Sequence, residues 1–477
     1  MGPGQRLVHP AHGPGVVLRV LDGGARLLVA FPSRNNVPWL VRAAELPEAP
    51  PVAPPAPASD ALEPAAARAA LEALRLGVVP RSGLGALTVG REAERARIGA
   101  LLDAGRGALA VLGPYGAGKS QLLEIARADA IARGWAVAGL SFDAIERPPT
   151  HPLRLYAALM ADLRVPGSAE PGLLPLLRQL GPRPALLGGP LTHRWLSAAL
   201  WATCRAEGAL PRPEAARGAE GAEATLAEDL RDFVEARSHH DPGALAARLH
   251  RAGYRGPRPL GLPDYRTFGQ IMAHLLSGLA AWCREAGHHG LLLLLDEAES
   301  AARLPPLARA FAADVLRYLA LAALPAEALP FSAAALRAGG HPAHQAVPAC
   351  ATPDPPLALI AASTPDPGVE EALAHAIPED RWLRLPLLGP RHLPQLAARV
   401  AALVAAARPG PPPPPGLEAA LTQAVLRATA AGQVQTPREA ARLLVEAWDL
   451  WRWRPALLPR ALGLPPGALD ADPVTGG

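Results

Sequence analysis

The octapeptide GPYGAGKS, Gly113 to Ser120, carries the strongest chemistry in this 477-residue chain. It fits G-x-x-x-x-G-K-[ST], the glycine loop whose backbone N–H groups cradle phosphates. Gly113, Gly116 and Gly118 are expected to take left-handed turns that aim several N–H groups at one anion. Pro114, Tyr115 and Ala117 complete the loop, Lys119 reaches toward a β- and γ-phosphate, and the Ser120 hydroxyl faces Mg²⁺. Lys119 is the only lysine among 47 Lys and Arg. In a chain where arginine fills every other basic role, a compact ammonium survives at one place, where a planar guanidinium would crowd a phosphate.

A second acidic motif lies downstream in LLLLLDEAES, Leu291 to Ser300. Asp296, at the end of an apolar run, is placed to hold a water on Mg²⁺, and Glu297 to polarise an attacking water. The same pair could instead cap the next helix. The phosphate loop upstream favours the first reading, and an intact Glu297 favours hydrolysis over transfer to an acceptor. In ALIAASTPDP, Ser363 and Thr364 follow an apolar strand, where a hydroxyl could sense a γ-phosphate or simply form a turn. In GQVQTPREAARLL, Thr436, Pro437 and Glu439 spell a capping box. Arg438 in that first turn opposes the helix dipole, so it is either a solvated surface cation or the partner of an anion.

These residues need a frame. Ala108–Leu112 reads as a strand entering the loop, Gln121–Ala132 as the helix leaving it, and Trp135–Phe142 as the next strand. Leu291–Leu295 and Leu357–Ala362 read as further strands, giving a parallel α/β core. Five leucines in a row are ambiguous by propensity; the short length and the Gly290 boundary favour a doubly buried strand. The expected architecture is a RecA-like P-loop core over 65–390, interrupted by a helical insertion at about 165–260. A helical lid over 391–460 and a disordered tail over 461–477 follow. Residues 212–221 also read as disordered.

Residues 1–46 form a separate block of short strands. Val16–Val20 and Leu27–Phe31 flank an Asp22-Gly23-Gly24 turn. The V-H-P-x-x-G-x-G-V pattern from Val8 to Val16 resembles Tudor/SH3-like barrels, with His9 and His12 in turns. Residues 47–64 read as a Pro-rich, semi-rigid linker.

Composition narrows the classes. Charged residues make up 19% and aromatics 4%, with 56 Pro and 45 Gly, so many short elements are expected. A net charge of +4 permits DNA contact without demanding it. Cys204, Cys283 and Cys350 share no ligand spacing, which fits a reducing cytoplasm rather than a disulfide or zinc framework. No apolar run reaches membrane-spanning length. The His239-His240 and His288-His289 pairs read as loop residues. In AWDLWRWRPALLPR, Trp448, Trp451 and Trp453 alternate with arginines; they could stack bases, though closing a helical core is the commoner role.

Taken together, VGREAE, GPYGAGKS, LLLLDEAE, STPDP and TPREAARLL resemble AAA+-type ATPases. With EALRLGVVP before LTVGRE, the chain is more closely similar to the ATP-binding protein family of BREX phage-defence systems. The resemblance runs over Leu71–Phe142, Leu260–Arg317 and Leu383–Leu450. It implies an ATP- and Mg²⁺-dependent ATPase acting beside a methyltransferase and a helicase in discriminating foreign DNA. It leaves a homo-oligomer open, because none of Arg303, Arg309 and Arg317 stands out as an arginine finger. A nucleotide switch with little turnover and a scaffold with a structural nucleotide are the competing readings.

Overall fold

The computed structural model describes residues 6–9, 13–22, 26–30, 38–42, 63–80, 84–211, 220–408 and 412–463. The linker read over 47–64 and the tail over 461–477 lie almost wholly outside these residues, as does most of 212–221. The chain divides into two units, Met1–Ala61 and Leu62–Gly477.

In the first unit β1 (Arg6–His9), β2 (Gly13–Leu21), β3 (Arg26–Ala30) and β4 (Pro38–Arg42) form an antiparallel meander in sequence order. Leu27, Val29 and Val41 are buried. The β2–β3 hairpin falls where the alternating residues and Asp22 place it, Asp22 having φ 50°. Among the described residues β1 and β4 do not pair, so this sheet lends no support to the expected barrel or to the Tudor-like assignment. Alternation specifies strands and turns; closure depends on shear and tilt, which it does not encode.

The second unit is built on a five-stranded parallel sheet. Its strands are β5 (Gly107–Leu112), β6 (Ala136–Ser141), β7 (Leu291–Asp296), β8 (Leu357–Ser363) and β9 (Trp382–Arg384), in the order β6-β7-β8-β5-β9. Pleating divides the strand residues between two cores. Leu109 and Val111 pack with Leu122, Leu123 and Trp135 beneath the Glu92–Asp103 and Lys119–Ala132 helices. Ala108, Ala110 and Leu112 face the opposite core. The leucine run is a strand because both its faces are covered: Leu291, Leu293 and Leu295 belong to one core, Leu292 and Leu294 to the other. Gly290 starts it at φ 153°, where an added Cβ would lie 2.1 Å from the Pro356 carbonyl oxygen. β9 is three residues long, too short for the sequence pattern to reveal.

The helices Leu174–Leu180, Leu196–Ala206, Glu220–Val234 and Pro242–Ala252 fill the region read as an insertion. Their apolar residues join Tyr156, Trp195 and Ile271 in the same core as one face of the sheet. A buried Arg205–Glu223 pair, 2.6 Å apart, ties two of them. The C-terminal helices Leu393–Ala407, Leu417–Ala430 and Pro437–Trp453 make another core with Val400, Leu421, Leu444 and Trp448. The helix Pro64–Arg75 contributes Ala67 and Leu71 to that core, and Arg75 pairs with Asp449 at 2.5 Å. A segment before the sheet in sequence thus belongs with the helices after it. Among the described residues no helix is long and apolar enough to cross a membrane.

Candidate nucleotide site

β5 is buried along its whole length and delivers the chain to Gly113 at the carboxyl edge of the sheet. Ligands of open parallel sheets gather at that edge. Gly116 (φ 81°) and Gly118 (φ 89°) take the left-handed conformation, Gly118 as N-cap of the Lys119–Ala132 helix. Gly113 does not, contrary to the sequence expectation. An added Cβ there would fit tightly, 3.0 Å from Leu385 Cβ and 3.1 Å from its carbonyl oxygen. Leu385 follows β9, the strand next to β5.

Lys119 is 8% exposed. Its Nζ donates to the Gly113 carbonyl at 2.9 Å, the Pro114 carbonyl at 3.4 Å and Thr364 Oγ1 at 3.0 Å. β8 lies between β5 and β7, so its end places Thr364 between the phosphate loop and the acidic turn. There the Thr364 amide (3.0 Å) and the Ser363 hydroxyl (3.2 Å) both donate to Glu299 Oε2. Burial acts to raise the Glu299 carboxyl, yet the Thr364 bonds and the Lys119 charge leave it below the usual range. A polar chain runs from Lys119 through Thr364 to Glu299.

Asp296 ends β7 half-buried, and its Oδ1 accepts from the Glu297 amide at 2.9 Å. Glu297 has φ 59°, a strained conformation for a non-glycine residue. The Glu297 carboxyl is held above its ordinary range, first by partial burial, then by the Glu299 and Asp296 charges.

The helical side closes on this edge. Thr436 caps the Pro437–Trp453 helix by accepting from the Glu439 amide at 3.2 Å, and Glu439 accepts in turn from the Thr436 amide at 3.0 Å. Thr436 also fills the space above Gly116, where an added Cβ would lie 2.6 Å from Thr436 Cγ2. Arg438 consequently stands over the loop. Its guanidinium carbon is 5.6 Å from the Tyr115 ring centre, and Nη1 donates to Tyr115 Oη at 3.2 Å.

Between the two sides lies an open cleft lined by Tyr115 to Gln121, Glu297 and Arg438. Leu74, Val78, Val79 and Leu396 add apolar lining. Ser120 lines the cleft directly; Asp296 and Thr364 flank it through Glu297 and Lys119. Ser120 and Asp296 offer hard oxygen donors of the kind Mg²⁺ takes beside phosphates.

Two site residues escaped the sequence reading. Glu299 lay inside the acidic motif, two residues past Glu297, an offset that gave it no evident role. Arg91, 6% exposed, donates to the Ala117 carbonyl at 2.7 Å and the Pro386 carbonyl at 2.8 Å, bracing the loop against the exit of β9. Its only signal was its place in VGRE. The remaining basic and aromatic candidates are scattered. Arg317 pairs with Asp314 at 3.2 Å, whereas Arg303 and Arg309 are exposed. Trp448 is buried in the C-terminal core, edge-on to Trp451, and Trp453 is exposed. His288 meets Gln179 at 2.7 Å and His240 lies 3.7 Å from Asp229.

Glycine loop, helix N-terminus and parallel-sheet edge define a P-loop nucleotide-binding fold of the RecA-like kind. Within it, residues 62–179 match the family described as BREX system ATP-binding protein BrxC/D. That segment includes Gly113–Ser120; Asp296, Glu297, Thr364 and Arg438 lie beyond it. No curated protein and no solved structure matches the chain.

Proposed function

We propose that this chain is a Mg²⁺-dependent ATPase that couples its nucleotide state to a DNA-associated, BREX-type defence assembly. One observation carries the ATPase reading: a single cleft is lined by Lys119 and Ser120 of the loop, Glu297 of the acidic turn and Arg438 of the helical side.

The loop amides and the helix N-terminus hold the β-phosphate. Lys119 leaves the Gly113 carbonyl and Thr364 for the β- and γ-phosphates, exchanging neutral acceptors for anionic ones. Mg²⁺, when bound, would neutralise phosphate charge, held by the Ser120 hydroxyl and by a water on Asp296. Glu297, less acidic than an ordinary glutamate, takes the proton of the attacking water. Thr364, freed by Lys119, senses the γ-phosphate, and Arg438 reports it to the helices over 391–460, which act with the helix Pro64–Arg75 as a lid on the sheet core. The defence role rests on the family match and the motif resemblance; the resemblance alone also suggests a methyltransferase and a helicase as partners.

Steady-state hydrolysis by wild type and Glu297→Gln, with and without duplex DNA, tests this. Turnover is expected to fall about a hundredfold or more in Glu297→Gln and to rise with DNA in the wild type. Turnover indifferent to Glu297→Gln would remove the hydrolytic mechanism.

A further inference from the structure

We propose that Tyr115 is a positioning residue for Arg438, presenting the guanidinium to the γ-phosphate; this rests on the reading of Arg438 given above. Tyr115 is 71% exposed, so its ring is not held by an apolar core. The loop makes a turn closed by the Ala117 amide on the Pro114 carbonyl at 3.1 Å, with Gly116 at φ 81° in its third position. A positive φ at that position is what glycine supplies to such a turn, and Tyr115 stands just before it. What Tyr115 meets there is Arg438, by ring face and by hydroxyl.

The other contacts of Arg438 point the same way. Its stem lies against Gly77, where an added Cβ would be 3.5 Å from Arg438 Cδ. The Thr436–Gly116 contact fixes where the helix begins relative to the loop. Arg438 is itself exposed, and a free arginine there would spread over many rotamers. Held between Gly77 and Tyr115, it is confined to the loop side of the cleft. Because Tyr115 belongs to the phosphate loop, movement of the loop around a bound nucleotide is passed directly to Arg438.

The experiment compares the affinities of a non-hydrolysable ATP analogue and ADP in Tyr115→Ala, Tyr115→Phe, Arg438→Ala and the Tyr115→Ala/Arg438→Ala double variant. Only the analogue carries the phosphate that Arg438 would reach. Tyr115→Ala is expected to lower the analogue-to-ADP affinity ratio about three- to fivefold, as for a cation–π contact at an exposed site. Tyr115→Phe, which keeps the ring, should lower it less. In the Arg438→Ala background, Tyr115→Ala should leave the ratio where Arg438→Ala put it. Equal losses for both nucleotides in Tyr115→Ala would mean a general loop defect and would overturn the proposal. So would an undiminished Tyr115→Ala effect on the ratio in the Arg438→Ala background. A ratio lowered by Arg438→Ala but untouched by Tyr115→Ala removes the Tyr115 role alone. A ratio untouched by Arg438→Ala removes the function given to Arg438, and this proposal with it.

Discussion

On the sheet side of the cleft, Lys119 is buried and spends its ammonium on two loop carbonyls and Thr364. On the helical side, Arg438 is exposed and rests on one tyrosine. The sheet side is fixed by strands buried on both faces and by backbone turns at Gly116 and Gly118 that glycine favours. The helical side is fixed by a capping box, a methyl group against a glycine and a cation over a ring. The first arrangement suits a group that must hold charge in one place. The second suits a group whose position is to change with what lies beneath it. Stability is expected to be unequal across the cleft in the same sense, with the helical side opening at lower cost.

Substitutions sharpen that contrast, and the largest effect belongs to the sheet side. Lys119→Ala removes the one ammonium and should weaken ATP binding on the order of a hundredfold or more, read by calorimetric titration. Affinity within a few-fold of wild type would mean that the loop amides suffice and that Lys119 is structural. The next effect lies where the two sides touch. Gly116→Ala and Gly118→Ala both place a side chain at positive φ, a strain of about 1–2 kcal/mol. Only Gly116→Ala also drives a methyl into Thr436; at Gly118 the nearest atom, Gln121 Oε1, is 3.8 Å from an added Cβ. Gly116→Ala should therefore lower the thermal midpoint more than Gly118→Ala. Equal midpoints would mean that the helix start yields freely and that the contact sets nothing.

The same contrast decides what could be read from sequence. The loop, its strand and its helix are contiguous, so their spacing carried the whole arrangement, and the capping box at Thr436 was equally local. The bracing of the loop by Arg91 crosses to Pro386, and Gly116 meets Thr436 more than 300 residues away; no local periodicity encodes either contact. Nothing in the local pattern of the helix Pro64–Arg75 says that its apolar face meets helices after residue 391. Gly113 was misread because glycine in a loop suggests positive φ, whereas here it admits a neighbouring strand exit. Glu299 was passed over because its partner, Thr364, follows a strand more than 60 residues further along the chain.

Thr436→Ala should act on the helical side alone. Removing a threonine cap costs about 1 kcal/mol, and the shortened side chain also leaves the space above Gly116. Hydrogen exchange at the first turn of the Pro437–Trp453 helix should rise while that of β5 stays protected. Parallel increases in both would make the cleft one cooperative unit and dissolve the distinction between its sides.

The smallest effect tests the acidic turn. The Glu297 carboxyl sits above its ordinary range partly because Glu299 lies beside it. Glu297 must be ionised to accept a proton, so turnover is lost as pH falls through its raised pKa. Glu299→Gln removes a neighbouring negative charge while retaining an oxygen that can accept from the Thr364 amide. The Glu297 pKa then drops, and the acid limb of the kcat profile moves to lower pH. A limb that moves up, or does not move, would mean that the titrating group is not Glu297. In that event the base belongs elsewhere along the sheet edge, and the chain from Lys119 through Thr364 to Glu299 serves only to hold the two strand ends together.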